Sequence, residues 1–429
     1  MAQCGLYIII RNMTKFFYTV LGIVLVIVLG VWYLFVKNVG TVNVPGEAEQ
    51  NTETPSVAGF TVPAGFNLNV FSTGVAGARV IEMDPKGGLV VSQTSEGKIM
   101  AIWDADDNKT SDANEKKVLV EGLKKPHGLA FNCADTTPGC FLYVAESDKL
   151  SRYPYDAENL MLGKAEKLMD ISSSITDRHS TRSLLFLPAR AGEDFQDTLL
   201  ISVGSSCDVC KETDTDHATV LSYNTRTKQK AVYATGLRNA TFMNLHPVSG
   251  KVFATEMGRD NLGDNLPPDE INIIEPDKNG KAKNYGWPIC FGKNVHDIEF
   301  DKNAYVRTPC MEPYETPSYI DLQAHSAPLG LAFIPEEGWP EEYWYNMLVA
   351  YHGSWNRTEP TGYKIVRLKM NAKGVYSGTE DFITGWLTNA PGEKDPEKLG
   401  RPADIKILSG GVAYISDDNK GLIYRLARN

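Results

Sequence analysis

The stretch ARVIEMDPKGGLVVSQTSEGKIMAIW, residues 78–103, reads as an apolar strand, a turn, a second apolar strand, a polar break and a third strand ending in an aromatic residue. Short β-branched runs bounded by Gly, Asp and Ser are strand signals. The same order returns as PHGLAFNCADTTPGCFLYVAESDKLSRY from Pro126 and as RPADIKILSGGVAYISDDNKGLIYRL from Arg401. Further copies open at Thr181, Arg238 and Ala327, so the six starts are separated by 48, 55, 57, 89 and 74 residues. Repeats of roughly 40–50 residues, each a four-stranded sheet, are the signature of propeller blades. The sequence therefore predicts an all-β fold, a six-bladed β-propeller over residues 61–429, in which FNLNVFSTG (66–74) closes the ring by joining the last sheet. The longer later intervals imply insertions on one face, where sites are usually built.

Composition supports a globular protein and narrows its partners. The chain has 429 residues, of which 42% are hydrophobic and 22% charged, with a net charge of −10. That balance argues against nucleic acid or an anionic membrane surface as the main partner, and no basic cluster offsets it.

The N-terminus departs from the strand pattern. FFYTVLGIVLVIVLGVWYLFV, residues 16–36, carries no charge over 21 residues. At about 1.5 Å per residue such a helix spans a hydrocarbon core of roughly 30 Å. Arg11 and Lys15 precede it, and after Lys37 no charge follows until Glu47. The positive-inside rule keeps residues 1–15 cytoplasmic and sends the propeller to the periplasmic or extracellular side, single-pass in the cytoplasmic membrane. A cleaved signal peptide is the competing reading, disfavoured by the length of the run and the lack of an A-x-A site. Residues 37–60 read as a polar linker.

Cysteine usage agrees with export. Cys4 lies on the cytoplasmic side, and local spacing among the other six favours pairing 133–140, 207–210 and 290–310. CDVC at 207–210 has the form of a redox or zinc half-site, but it lacks a second CxxC and a following His. A loop staple in an oxidising compartment is the favoured reading.

The polar residues of each repeat gather beside its first strand, which aims them at the mouth of the central channel. His179 and Arg182 sit in RHSTRSLLF before the third blade, and Arg238 and Asn239 open the fourth in GLRNATF. His352, Asn356 and Arg357 lie in YHGSWNR of the fifth, and Arg401 opens the sixth. Arginines from three blades at one mouth suit a planar polyanion held by bidentate pairs. A single His or Arg in a turn is ordinarily a structural hydrogen-bonder; recurrence at equivalent positions favours a site. GRDNLGDNLPPDE, residues 258–270, crowds Asp260, Asp264, Asp269 and Glu270 onto a turn-rich backbone and suggests a metal loop. Its spacing does not fit an EF-hand, and Asp in turns commonly binds its own backbone, so a structural role is favoured for Asp260, Asp264 and Asp269.

RHSTRSLLF…LLISVGSS, GLRNATFMNLHPVSGKVFATEMGRDNLGDNLPPDEINII, NYGWP, HSAPLGLAF, YHGSWNR…GYKIVRL and GRPADIKI, in that order, resemble the soluble quinoprotein glucose/sorbosone dehydrogenases, nearest the L-sorbosone dehydrogenase branch. The resemblance runs from about Phe66 to the C-terminus. It implies pyrroloquinoline quinone (PQQ) across the propeller mouth, calcium (Ca2+) beneath it, a sugar aldehyde or aldose as substrate, and an electron acceptor that the motifs do not identify. By motif, His179 matches the catalytic base, and Arg238 matches the arginine that steadies charge on the quinone oxygen. Asn239 and Arg401 match cofactor contacts, and Gly258 and Arg259 match backbone carbonyl donors to calcium. Arg182, His352, Asn356 and Arg357 are assigned to the cofactor by position at the mouth. Two departures stand out: Ser205 follows Gly204 where glucose-type members carry an Asp that orients the histidine, and Ala403 replaces a second arginine. Both fit the sorbosone branch better.

The sequence thus predicts a membrane-anchored, PQQ- and calcium-dependent sugar dehydrogenase. The alternatives are a calcium-dependent propeller lactonase, which needs a Glu/Asn/Asp metal site in the channel, and a non-catalytic binding propeller.

Overall fold

The structure, a computed structural model, describes residues 57–133, 139–173, 178–189, 197–388 and 396–429. The stretch 16–36 read as a membrane anchor, most of the linker and Cys4 lie outside the described residues. Among the described residues no helix is long and apolar enough to cross a membrane.

Six antiparallel sheets form the body. Their innermost strands are Ala78–Met83, Leu129–Cys133, Leu184–Phe186, Ala240–Leu245, Pro328–Phe333 and Pro402–Leu408. Each begins no more than three residues after its expected blade start. Each contacts the next, and the last returns to the first, which makes a closed ring. Closure is completed in the sixth sheet, where Phe66–Ser72 pairs antiparallel with Leu422–Arg428 and sets Leu68 opposite Leu426. An N-terminal strand is thereby tied to a C-terminal one, and the sheet edge that would otherwise be open is paired.

Position within a blade explains the sequence pattern. Strands packed on both faces are largely apolar, and Leu89–Gln93, Val252–Glu256 and Met347–Tyr351 are buried at every position, with polar residues only toward the ends of the first two. Outer strands meet water on one side, and Tyr376–Thr384 accordingly alternates along most of its length. Leu329, on the fifth inner strand, is fully buried. Truncating such a leucine to alanine costs about 2–5 kcal/mol. Aromatic packing reinforces the seam, with Phe66 against Trp339 at 5.3 Å between ring centroids.

Two sheets exceed the four-strand expectation. Met161–Leu162 adds to the second. Lys283–Asn284, arriving from the insertion in the fourth blade, pairs parallel with Lys230–Thr235 of the third. Disulfides join Cys133–Cys140, Cys207–Cys210 and Cys290–Cys310, the pairing that local spacing favoured.

Candidate functional site

A cavity of about 380 Å³ opens at the ring mouth. The first blade lends it Arg79; the loop before the third, Arg178 and His179; the fourth, Arg238, Asn239, Gly258 and Asp260; the fifth, His325, Trp355 and Asn356.

His179 is held through one ring nitrogen. Its Nδ1 lies 3.0 Å from the Ser205 carbonyl oxygen and 2.9 Å from Ser205 Oγ. The carbonyl only accepts, and Oγ already donates to the Cys207 carbonyl at 2.6 Å. Nδ1 therefore carries the proton and Nε2 the lone pair. Burial first, then the positive charge of Arg238, lowers the His179 pKa to about 3, so the free imidazole is neutral. Gly204 makes the seat possible, because a Cβ there would come within 2.6 Å of the His179 Cβ.

Arg238 is almost fully buried and spends four of its five N–H groups on the protein. Nε donates to the Asp208 carbonyl (3.0 Å), Nη1 to the Met257 carbonyl (3.2 Å), and Nη2 to Asp208 Oδ1 (2.7 Å) and Asp260 Oδ2 (3.3 Å). One Nη1–H is left over among the described contacts. Beside it, Asn239 Oδ1 is buried without a hydrogen-bond partner and its backbone N–H donates to Glu256. The unspent cationic donor suits an anionic group of a cofactor, and the orphan amide oxygen needs an N–H or O–H donor from it. The residues present fit PQQ.

Asp260 sits at the junction of the site. Its Oδ2 accepts from Arg178 (3.1 Å) and Arg238, and its Oδ1 accepts from Asn356 Nδ2 (3.1 Å). Asp264 and Asp269 take the structural role expected of them. Asp269 is buried and accepts from Gly258 N, Ser326 Oγ and Ala327 N, which ties the fourth blade to the fifth. Asp264 accepts from Thr358 N and, through its carbonyl, from Arg357.

The other residues expected at the mouth do not line this cavity. Arg182 is buried and donates to the carbonyls of His179, Thr181 and Ser172, propping the histidine's own backbone. Arg401 donates to the carbonyls of Gly353 and Ser354 and to the Tyr363 hydroxyl, supporting the segment that leads into Trp355 and Asn356. His352 donates from Nε2 to Asp418, which also pairs with Arg79. The Arg259 side chain turns away to Asp297. These residues hold the rim from behind, because loops without ladder partners need donors for their carbonyls.

Sequence reading missed Arg79, Arg178, His325 and Trp355. Arg79 lies inside a strand, where alternation puts it on the face of Ile81 and Met83 and so does not mark it as a mouth residue. His325 has a left-handed backbone (φ 62°), and its Nε2 donates to the carbonyls of Gly263 and Leu266. Non-glycine residues held in that region cluster at functional sites. A second signal was also passed over. In residues 104–115, Asp104, Asp106, Asn108, Thr110, Asp112 and Glu115 occupy the ligand positions of a twelve-residue calcium loop. Oxygens of Asp104, Asp106 and Glu115 lie within 4.8 Å of one another, far from the cavity in sequence. Among the described residues no comparable group of three carboxylates lines the cavity, whose acidic side chains are Asp260 and Asp269.

The TrAA12-like family model matches residues 60–429. This chain belongs to the TrAA12-like family. An uncharacterized protein of Borreliella burgdorferi is 30% identical over 391 residues, covering 88% of this chain and 92% of its own. A protein of Hypocrea jecorina named as a pyrroloquinoline quinone-dependent sugar dehydrogenase is 21% identical, covering 85% of this chain and 88% of its own. In fold, the chain is similar to a Trichoderma reesei member of carbohydrate-active enzyme family AA12 (TM-score 0.71, 20% identity, 88% of this chain and all of that one). It is also similar to the holo PQQ domain of a Coprinopsis cinerea pyranose dehydrogenase (TM-score 0.68, 19% identity, 87% and 98%).

Proposed function

We propose that this TrAA12-like chain is a PQQ- and calcium-dependent dehydrogenase of a sugar aldehyde or aldose, at the sorbosone-like end of the resemblance, anchored outside the cytoplasmic membrane by residues 16–36. The observation that carries the reading is His179. Its Nδ1 is spent on two acceptors, and its Nε2 lone pair is left in a cavity walled by arginines.

When bound, the quinone supplies a two-electron acceptor for the hydride leaving the substrate carbon. His179 Nε2 takes the hydroxyl proton of the aldose hemiacetal or of the hydrated aldehyde. Its depressed pKa keeps it unprotonated, and an anionic ligand beside Arg238 and Arg178 would offset the charges that contribute to the depression. Arg238, Asn239 and Asn356 would hold the cofactor, with Arg238 offering its spare N–H where negative charge develops. The backbone at Gly258 and Arg259 would supply carbonyl oxygens to calcium.

Adding PQQ and calcium to the purified protein and following dye reduction across a panel of aldoses tests the proposal. Dye reduction with at least one sugar is expected, and His179→Ala should lower turnover at least about a hundredfold with cofactor binding retained. Lactone hydrolysis without dye reduction, or silence in both assays, would overturn it in favour of a lactonase or a binding propeller respectively.

A further inference from the structure

Neither residue assigned to chemistry is held in place by a β-ladder alone. Both are secured by the irregular connection between the strands Thr198–Val203 and Thr219–Asn224, which contains Cys207 and Cys210. We propose that the disulfide-closed turn Cys207–Cys210 is the clamp that aligns the site, with Asp208 as its positioning residue for Arg238 and Ser205 as its link to His179. The inference rests on the dehydrogenase reading for its consequence, but its geometry stands apart from it.

The clamp is a set of hydrogen bonds to Asp208, Cys207 and Ser205. The Asp208 carbonyl accepts from Arg238 Nε and from Trp287 Nε1 (3.2 Å). The Asp208 carboxylate accepts from Arg238 Nη2 and from the backbone N–H of Asp260 (3.0 Å). The Cys207 carbonyl accepts from Ser205 Oγ, which leaves Oγ free only to accept from His179. Ser205 N donates to the Arg238 carbonyl at 2.7 Å, joining the two halves. Asp208 does not line the cavity, so it acts through Arg238. Burial opposes its ionisation, but the Asp260 N–H and the Arg238 charge outweigh that and lower its pKa.

A turn outside any ladder has many alternative conformations, and a cross-link between its ends removes most of them. Two carbonyls and one carboxylate must all point at fixed donors. Arginine's planar fork binds well only when its acceptors are pre-placed. The reading of CDVC as a mere staple therefore leaves out what the staple holds: Asp208, one of the two residues between the cysteines, touches Arg238 with both its backbone and its side chain.

The test compares the full-length wild type with Cys207→Ser/Cys210→Ser and with Asp208→Ala. The first readout uses quinone-free protein: ¹⁵N NMR of the His179 Nδ1–H and the Arg238 Nε–H, both expected to be protected in the wild type by their hydrogen bonds. The second is equilibrium titration with PQQ, and the third is kcat and KM. The double variant is expected to lose both protected protons, weaken PQQ at least tenfold and lower kcat at least tenfold, with KM for the sugar changed less than threefold. Asp208→Ala is expected to keep the His179 proton and lose quinone affinity. Retention of both protons and of PQQ affinity within twofold in both variants would overturn the clamp. If the double variant fails to fold, Asp208→Ala decides, and Asp208→Glu should restore part of the affinity. A wild type that reduces no dye would overturn the dehydrogenase reading alone, since the NMR readout needs neither quinone nor sugar.

Discussion

Ser205 receives His179 Nδ1 on two oxygens at once, its carbonyl at 3.0 Å and its hydroxyl at 2.9 Å. A serine thus stands where glucose-type relatives of the resemblance carry a carboxylate, and it fixes the tautomer without adding charge. Ser205→Ala removes one acceptor and leaves the carbonyl, so the tautomer survives. A loss of about 1 kcal/mol, roughly fivefold in kcat, is expected. Ser205→Asp places a negative charge against the ring and should raise the His179 pKa, moving the acid limb of kcat/KM to higher pH. Rate profiles of the two variants check both statements.

Arg238 divides its fork among four acceptors with fixed directions, which an ammonium group cannot reproduce. Arg238→Lys keeps the charge and loses the geometry. Quinone affinity should fall roughly tenfold or more, measured by fluorescence titration. Unchanged affinity would remove Arg238 from the cofactor wall.

His352 provides a pH test of the rim. Burial is the main cause that lowers its pKa, to about 4, with the charges of Arg79 and Arg401 adding to it against the hydrogen bond to Asp418. The folded protein therefore binds fewer protons at this residue than the unfolded chain between pH about 6.5 and about 4. Its contribution is complete above that window and is lost as pH falls through it, by up to about 3 kcal/mol. Urea unfolding of wild type and His352→Gln should give a stability gap that narrows on acidification from pH 7 to 4.5.

Blade number, ring closure and the approach of His179, Arg238 and Asn239 were legible in the sequence for one physical reason. Inner strands of a ring are buried on both faces, so each repeat carries the same apolar run, and residues beside those runs share one end of the channel. Residue type at that end did not tell cavity wall from scaffold. Arg182 and Arg401 have the same local setting as Arg238, yet they turn to carbonyls of irregular loops. Arg178 and Trp355 lie in the same motifs as His179 and Asn356, and residue type alone did not mark them as lining the cavity. The acidic stretch 258–270 attracted a metal reading by density, whereas the ligand order of a calcium loop lies in 104–115.

Calcium removal separates these two stretches. A chelator should weaken PQQ binding roughly tenfold or more, with recovery on adding calcium, if the backbone at Gly258 and Arg259 holds the ion. Asp104→Asn with Glu115→Gln should leave that dependence unchanged. Equilibrium dialysis of the quinone with and without chelator measures both, and a dependence abolished in the double variant would relocate the functional ion.

Gly204 sets the tightest steric condition on the site. Its φ is not in the left-handed region, so a side chain there meets no backbone penalty. The obstacle is space alone: a Cβ would lie 2.6 Å from the His179 Cβ and 2.9 Å from Asn239 Oδ1. Contacts that close force movement of the base, the amide, or both. Gly204→Ala should therefore lower kcat at least roughly tenfold, because a displacement near 1 Å at a reacting group costs up to about a hundredfold. Thermal stability should change little, since the rim loops yield more readily than the strands behind them. Parallel measurement of kcat, quinone affinity and melting temperature checks the prediction, and a variant of normal turnover would show that His179 does not need this seat.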